Sequence, residues 1–142
     1  MREFKSYYEY LKESINKYKG NFYKEILYVP EFFKLLSDIL SADDLSSDDR
    51  LKICAVLGYF VAPYDIIPED IYGPAGYIDD LYLCSFLLIQ LKFKYGNILE
   101  KLWFLEEDIY EVLDKTYQSS KKEMERQGLI EDILDYVGLK PF

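Results

Sequence analysis

Apolar side chains recur at three- and four-residue spacing along most of the 142-residue chain, which is the period of an amphipathic helix. The first such stretch spans residues 2–19, and Pro30 opens the second. A third helix is capped by Ser46 or Ser47 and runs to about Val61. Because its apolar residues lie almost all round the helix, we expect it in the middle of the domain.

The second half of the chain predicts two or three more helices. One covers residues 77–94, is nearly as apolar as the third, and ends at Gly96. Asn97 then starts a fifth helix with a capping-box spacing, and a short last helix follows Gly128. No stretch shows the alternation of a strand. The pattern therefore predicts one all-α domain over residues 1–142, a bundle of five to six helices around an antiparallel hairpin formed by the third and fourth.

The composition narrows the classes of function. The chain carries 26 acidic and 17 basic residues, a net charge of −9, so we expect no nucleic-acid partner. It contains no histidine, which excludes Ser–His and Cys–His catalytic pairs and the usual zinc ligand. The longest uncharged runs reach about half of the ~20 residues that a membrane span needs. We therefore expect no transmembrane helix, and at most a peripheral contact with a membrane.

The two cysteines, Cys54 and Cys84, both lie inside apolar helical runs. Two cysteines without histidine cannot form an ordinary four-ligand zinc site. We expect both to be reduced core residues. Since the sequence starts without a signal peptide, we expect a reducing, cytoplasmic location, with membrane association as an option.

Residues 62–81, between the two most apolar helices, concentrate prolines, glycines and carboxylates. Prolines fix the backbone and glycines permit tight approach, so this is a shaped turn. The stretch and the start of the next helix hold five carboxylates, Asp65, Glu69, Asp70, Asp79 and Asp80. Antiparallel packing of the two helices would bring Asp65 near Asp79 and Asp80, and either Glu69 or Asp70 would complete a cation site. All-oxygen ligands suit Mg²⁺, Ca²⁺ or Mn²⁺. The same side chains could instead cap helices, because Asp79 and Asp80 fall in the first turn of the fourth helix.

The segment YFVAPYDIIPEDIYGPAGYIDDLYL places its Pro, Gly, Asp and Tyr residues in a recognisable order, at Tyr59, Pro63, Asp65, Ile67, Pro68, Gly76, Tyr77, Asp79 and Asp80. This order resembles the signature of the YkvA-like family of domains of unknown function (DUF1232), over residues 51–91. One residue is inserted between Pro68 and Gly76, so either Glu69 or Asp70 stands for the family aspartate. The resemblance implies a compact helical hairpin with an acidic turn, often near membranes, without an established enzymatic activity.

Three functions are compatible with these residues. The one we favour is a non-catalytic binding or scaffold module that needs no cofactor, with a protein or a second copy of the chain as partner. Some of the 15 tyrosines would form its contact surface. The second is a divalent-cation domain built on the five carboxylates. The third is a metal-dependent phosphoester hydrolase, which needs no histidine, although residues 62–81 hold no lysine or arginine for the developing phosphoryl charge.

Overall fold

The computed structural model describes residues 7–16, 27–61 and 77–139, and these form α-helices without a strand. The helices are α1 (Tyr7–Asn16), α2 (Val29–Ile39), α3 (Ser47–Val61), α4 (Ile78–Leu102), α5 (Ile109–Gln127) and α6 (Ile130–Val137). The prediction of an all-α bundle of five to six helices is confirmed. The assignment of all 142 residues to one domain stays a prediction.

Helix α4 lies at the centre of the bundle. Helices α2, α3 and α5 pack against it, while α1 packs on α2, and α6 contacts α3 and α5. Residues 78–88 of α4 are all buried, because neighbours cover more than one side of this apolar helix. Among the described helices, none has the length and apolar character needed to cross a bilayer. The core is therefore built along the first half of α4.

Helix α3 lies at the edge of the bundle, and the prediction that it would be central is wrong. Ile53 and Tyr59 are buried, but Leu51 is 69% exposed and Cys54 is also exposed. The helix thus packs through part of its circumference, and its apolar composition overstates its burial. The prediction that both cysteines are free core residues holds for Cys84 and is wrong for Cys54, whose thiol is free but at the surface.

Several helix boundaries follow local signals in the sequence. Pro30 lies in the first turn of α2, where its missing N–H costs no hydrogen bond. The Ser46 Oγ accepts the Asp49 N–H at 3.2 Å and so caps α3. Gly128 and Gly138 end α5 and α6 with φ of 69° and 79°, a left-handed conformation that glycine adopts without steric cost.

The predicted break of the fourth helix near Gly96 is present as a kink. Tyr95, with φ −124° and ψ 29°, is not helical, so two helical stretches meet at this residue and together form α4. Gly96 also provides space: a Cβ at this position would lie 3.1 Å from the Tyr110 hydroxyl, which donates to the Gly96 carbonyl at 3.3 Å. Helix α5 begins after Asp108, whose side chain accepts the Glu111 N–H at 3.1 Å.

Candidate functional site

The carboxylates of Asp79 and Asp80, at the start of α4, lie inside the protein, with residue exposures of 0% and 3%. Asp79 Oδ2 accepts a hydrogen bond from the Tyr59 hydroxyl on α3, and Asp79 Oδ1 accepts the Asp80 N–H at 2.9 Å. Both residues lie in the first turn of α4, as predicted, where the helix dipole favours negative charge. The Asp79 carboxylate therefore joins the two helices of the hairpin. We call this region (Tyr59, Asp79 and Asp80) the Asp79 end.

The other three predicted cation ligands, Asp65, Glu69 and Asp70, lie outside the described residues. Their convergence with Asp79 and Asp80 therefore stays a prediction. Within residues 7–16, 27–61 and 77–139, no three carboxylates or thiols gather into a group that could hold a metal ion. The two aspartates would need further ligands from the acidic turn to form such a site.

The Cys84 thiol lies one turn after Asp80 and is fully buried. Burial raises the pKa of this thiol well above its usual value, and the Asp80 carboxylate raises it further. The thiolate is the nucleophilic and metal-binding form of cysteine, and this environment disfavours it. Cys84 therefore packs as a small apolar side chain at the Asp79 end.

The opposite end of the hairpin is fixed by a third buried carboxylate, Asp49. Its Oδ2 accepts hydrogen bonds from Ser46 Oγ at 2.9 Å, Tyr95 Oη at 2.8 Å and Lys94 Nζ at 3.0 Å. The same Tyr95 oxygen accepts the Ser46 N–H at 3.1 Å. Burial acts to raise the pKa of Asp49, but the hydrogen bonds from Tyr95, Lys94 and Ser46 together outweigh it, so the pKa is lowered. These four residues, the Asp49 end, hold the start of α3 against the kink of α4.

Two large apolar side chains are exposed at the Asp49 end. Leu51 is 69% exposed and Phe93 is 79% exposed. The Lys92 ammonium lies 5.6 Å from the Phe93 ring centroid, so this ring also carries a cation–π contact. The described tyrosines divide between surface and core: Tyr10 and Tyr136 are 54% and 55% exposed, whereas Tyr77 and Tyr82 are buried. The exposed pair is a feature that the sequence analysis missed.

Some known proteins are similar to nearly the whole chain, and others only to a short segment of it. A family model described as "Protein of unknown function (DUF1232)" matches residues 49–86. Uncharacterized protein ORF9 of Methanothermobacter thermautotrophicus is 34% identical over 129 residues, which is 90% of this chain and 87% of that protein. E3 ubiquitin-protein ligase RNF170 of Xenopus laevis is 38% identical over 52 residues, which is 35% of this chain and 20% of that protein. RNF170 of Danio rerio is 33% identical over 49 residues, 34% of this chain and 18% of that protein.

No solved structure matches the chain. The family model begins at Asp49 and ends inside α4, so it includes Tyr59, Asp79 and Asp80. The similarity to ORF9 extends over nearly the whole of both proteins. The family resemblance found in the acidic turn is thereby confirmed, and the chain belongs to the DUF1232 family, proteins of unknown function.

Proposed function

We propose that the protein is a non-catalytic binding module, and that its partner is a protein that contacts the Asp49 end of the α3–α4 hairpin. The observation that carries this proposal is the exposure of Leu51 and Phe93 at that end. Aromatic side chains are enriched in protein interfaces, and an exposed ring on a fixed support can fill a pocket of a partner.

The support under this surface is fixed at both ends by buried carboxylates. Asp79 is bound to Tyr59 at one end, and Asp49 is bound to Tyr95 and Ser46 at the other. A surface held in this way loses little conformational entropy on binding. The hairpin is therefore suited to presenting side chains to a partner.

The two lengths of match also support a binding module. The stretch of this chain that is similar to the RNF170 ubiquitin ligases covers about a third of its 142 residues and about a fifth of the ligase. A segment that makes up such different shares of the proteins that contain it is typical of a structural unit that is combined with other domains of different function. We place the protein in the cytoplasm, with any membrane contact peripheral, and the free, exposed Cys54 thiol suits a reducing compartment.

Site-specific photo-cross-linking tests this proposal. p-Benzoylphenylalanine replaces Phe93 in one variant and Leu51 in another, and replaces Lys122, an exposed residue of α5, in the control. We expect the same discrete protein adduct from the Phe93 and Leu51 variants in an extract of the native cells, and none from the control. Excess wild-type protein should compete the adduct away, and excess Phe93→Glu should not.

The purified variants separate the two kinds of protein partner. An adduct of dimer mass from the Phe93 and Leu51 variants alone would identify a second copy of the chain as the partner. The proposal is wrong if neither position gives an adduct above that of the Lys122 control, in the extract or in the pure protein.

A divalent-cation site is the second candidate, because Asp79 and Asp80 are buried side by side. Neighbouring carboxylates in the interior require compensating positive charge or hydrogen-bond donors. A cation at this point would take oxygens from these two residues, and Asp65, Glu69 and Asp70 would provide the rest. Their chemistry suits Mg²⁺, Ca²⁺ or Mn²⁺.

Thermal unfolding in chelator and in millimolar Mg²⁺, Ca²⁺ or Mn²⁺ tests this second candidate. A cation at 100 times its dissociation constant adds about 2.7 kcal/mol to the free energy of unfolding, which raises Tm by several degrees. We expect a selective rise that Asp79→Asn abolishes and Asp43→Asn, a change of an exposed carboxylate, preserves. Such a rise would justify a phosphoester-hydrolysis assay, and no rise with any of the three ions would exclude the site.

A further inference from the structure

A cleft of about 490 Å³ lies away from the hairpin, between α1, α2, the α4–α5 connection and α5. Its polar and aromatic lining consists of Lys12, Tyr28, Glu31, Phe104, Glu107 and Lys115, and two leucines complete its described walls. None of these residues lies within residues 49–86, which the family model matches. The volume falls in the range of small-molecule sites.

Glu31 is the charged residue of this cleft whose environment points to a ligand. It is only 6% exposed, and its Oε2 accepts a hydrogen bond from the Tyr8 hydroxyl at 2.9 Å. Its Oε1 accepts no hydrogen bond from the described part of the chain, and its ion-pair partner, Lys12 Nζ, lies 3.9 Å away, beyond hydrogen-bond distance. A carboxylate oxygen at a cleft whose ion-pair partner is a half-exposed lysine can exchange that lysine for a cationic donor that enters the cleft.

The aromatic rings of the cleft provide a second feature that suits a cation. The Lys115 ammonium lies 5.9 Å from the centroid of the Tyr28 ring, and the Lys34 ammonium lies 5.0 Å from that of Phe104. Both rings therefore already contact ammonium groups, those of the protein's own lysines. Glu107 adds a second carboxylate, which accepts a hydrogen bond from the Tyr28 hydroxyl. Ring faces beside carboxylates are the environment in which proteins bind organic ammonium groups.

We propose that this cleft binds a small organic cation, a primary ammonium group on an apolar body. The ammonium donates to Glu31 Oε1, and the body lies against the rings of Tyr28 and Phe104. Lys12 is about half exposed and moves toward solvent when the ligand enters. The net charge of −9 attracts a cation from a distance.

Phenethylamine and its uncharged analogue 2-phenylethanol are the probes for this site. Trp103, the one tryptophan of the chain, reports on the cleft, because its ring centroid lies 6.3 Å from that of Phe104 and its Nε1 donates to the Glu107 carbonyl at 2.8 Å. We expect phenethylamine to cause a saturable change in tryptophan emission, and 2-phenylethanol to bind at least about tenfold more weakly, because it lacks the charge-assisted bond. Equal affinities, or no saturable change with the amine up to about 10 mM, would overturn the proposal.

Variants of the cleft locate the binding site. Glu31→Gln keeps the side-chain shape and an oxygen for Tyr8, and should lower the affinity for phenethylamine about tenfold without changing that for 2-phenylethanol. Asp132→Asn removes an exposed charge on α6 and should leave both affinities unchanged. Phe104→Ala, a change at a half-exposed ring, should weaken both probes and provides a second test if Glu31→Gln folds poorly. Unchanged amine affinity in Glu31→Gln and Phe104→Ala, or an equal loss in Asp132→Asn, would refute the site.

Discussion

Replacing Tyr59 by phenylalanine removes a single hydroxyl from the Asp79 end of the hairpin, and we expect a large loss of stability. The hydroxyl donates to Asp79 Oδ2, and both residues are buried. A hydrogen bond to a charged group contributes about 1.5–3 kcal/mol, and its removal leaves a desolvated carboxylate with one donor fewer. Phenylalanine preserves the ring and its edge contact with Tyr136, whose centroid lies 5.7 Å away. The free energy of unfolding should therefore fall by about 2 kcal/mol.

Urea unfolding at pH 7, followed by circular dichroism with chelator in every buffer, measures this loss. The midpoint should fall while the slope m is unchanged, which identifies a change in stability rather than in the compactness of either state. Tyr136→Phe is the matched control, because it removes the same atom from the other ring of the pair, in a residue that is 55% exposed. It should change stability by no more than about 0.5 kcal/mol. Equal losses in the two variants would refute the role assigned to the Tyr59 hydroxyl.

A double-mutant cycle with Asp79→Asn tests whether the two side chains act together. Residues in direct contact couple by about 0.5–3 kcal/mol, so the double variant should lose measurably less than the sum of the single losses. Asp43→Asn, which alters an exposed carboxylate before α3, should cost far less than Asp79→Asn. A coupling energy near zero would show that Asp79 is held by other groups.

Three further predictions concern other parts of the bundle. Asp49→Asn should lower the free energy of unfolding at pH 7 by about 1–2 kcal/mol. The pKa of Asp49 is lower in the folded state than the value of about 4 in the unfolded state, so the stability that the Asp49 carboxylate contributes is complete above about pH 4 and is lost as pH falls through the folded-state pKa. The urea midpoints of the variant and the wild type should therefore converge in acid. A difference that stays constant with pH would contradict the role given to the Asp49 carboxylate. Cys54 should react with a maleimide in the native protein and Cys84 only in urea, and equal rates in the native protein would contradict the exposure of Cys54 and the burial of Cys84. Gly58→Ala, in open space, should raise the free energy of unfolding, measured in urea, by about 0.5–1 kcal/mol. Gly96→Ala should gain less or lose stability, because its Cβ meets a tyrosine hydroxyl, and equal gains would refute that close approach.

The helix boundaries that could be predicted are those with a local cause. Ser46 caps α3 through its own side chain, and Pro30 can only lie near a helix start. Glycine marks both helix ends and close approaches, and Gly96 does both. It follows the kink at Tyr95, which the sequence predicts, and it lies against the Tyr110 hydroxyl, a contact that depends on long-range packing. The true start of α5 did leave a signal, since Asp108 and the glutamate three residues later have capping-box spacing.

Two features depend on packing between distant parts of the chain: which helix is most buried, and which side chains contact the carboxylates of the candidate site. Composition makes α3 and α4 similarly apolar, and only the arrangement of α2 and α5 makes α4 central. The placement of Asp79 in the first turn of α4 followed from the helix dipole, but its partner Tyr59 lies 20 residues earlier, across the turn. The cleft around Glu31 was missed for the same reason: its walls come from four separate parts of the chain.

The central position of α4 has a consequence for the design of truncated versions of this protein. The matched segment, residues 49–86, contains all but the first two residues of α3 and about the first third of α4, but two of the helices that bury α4, α2 and α5, lie outside it. An excised segment would expose this apolar surface to water, and a lone helical hairpin cannot offset that cost by propensity. We therefore expect the autonomous folding unit of this chain to be larger than the segment that the family model matches, and truncations of it should retain α2 and α5.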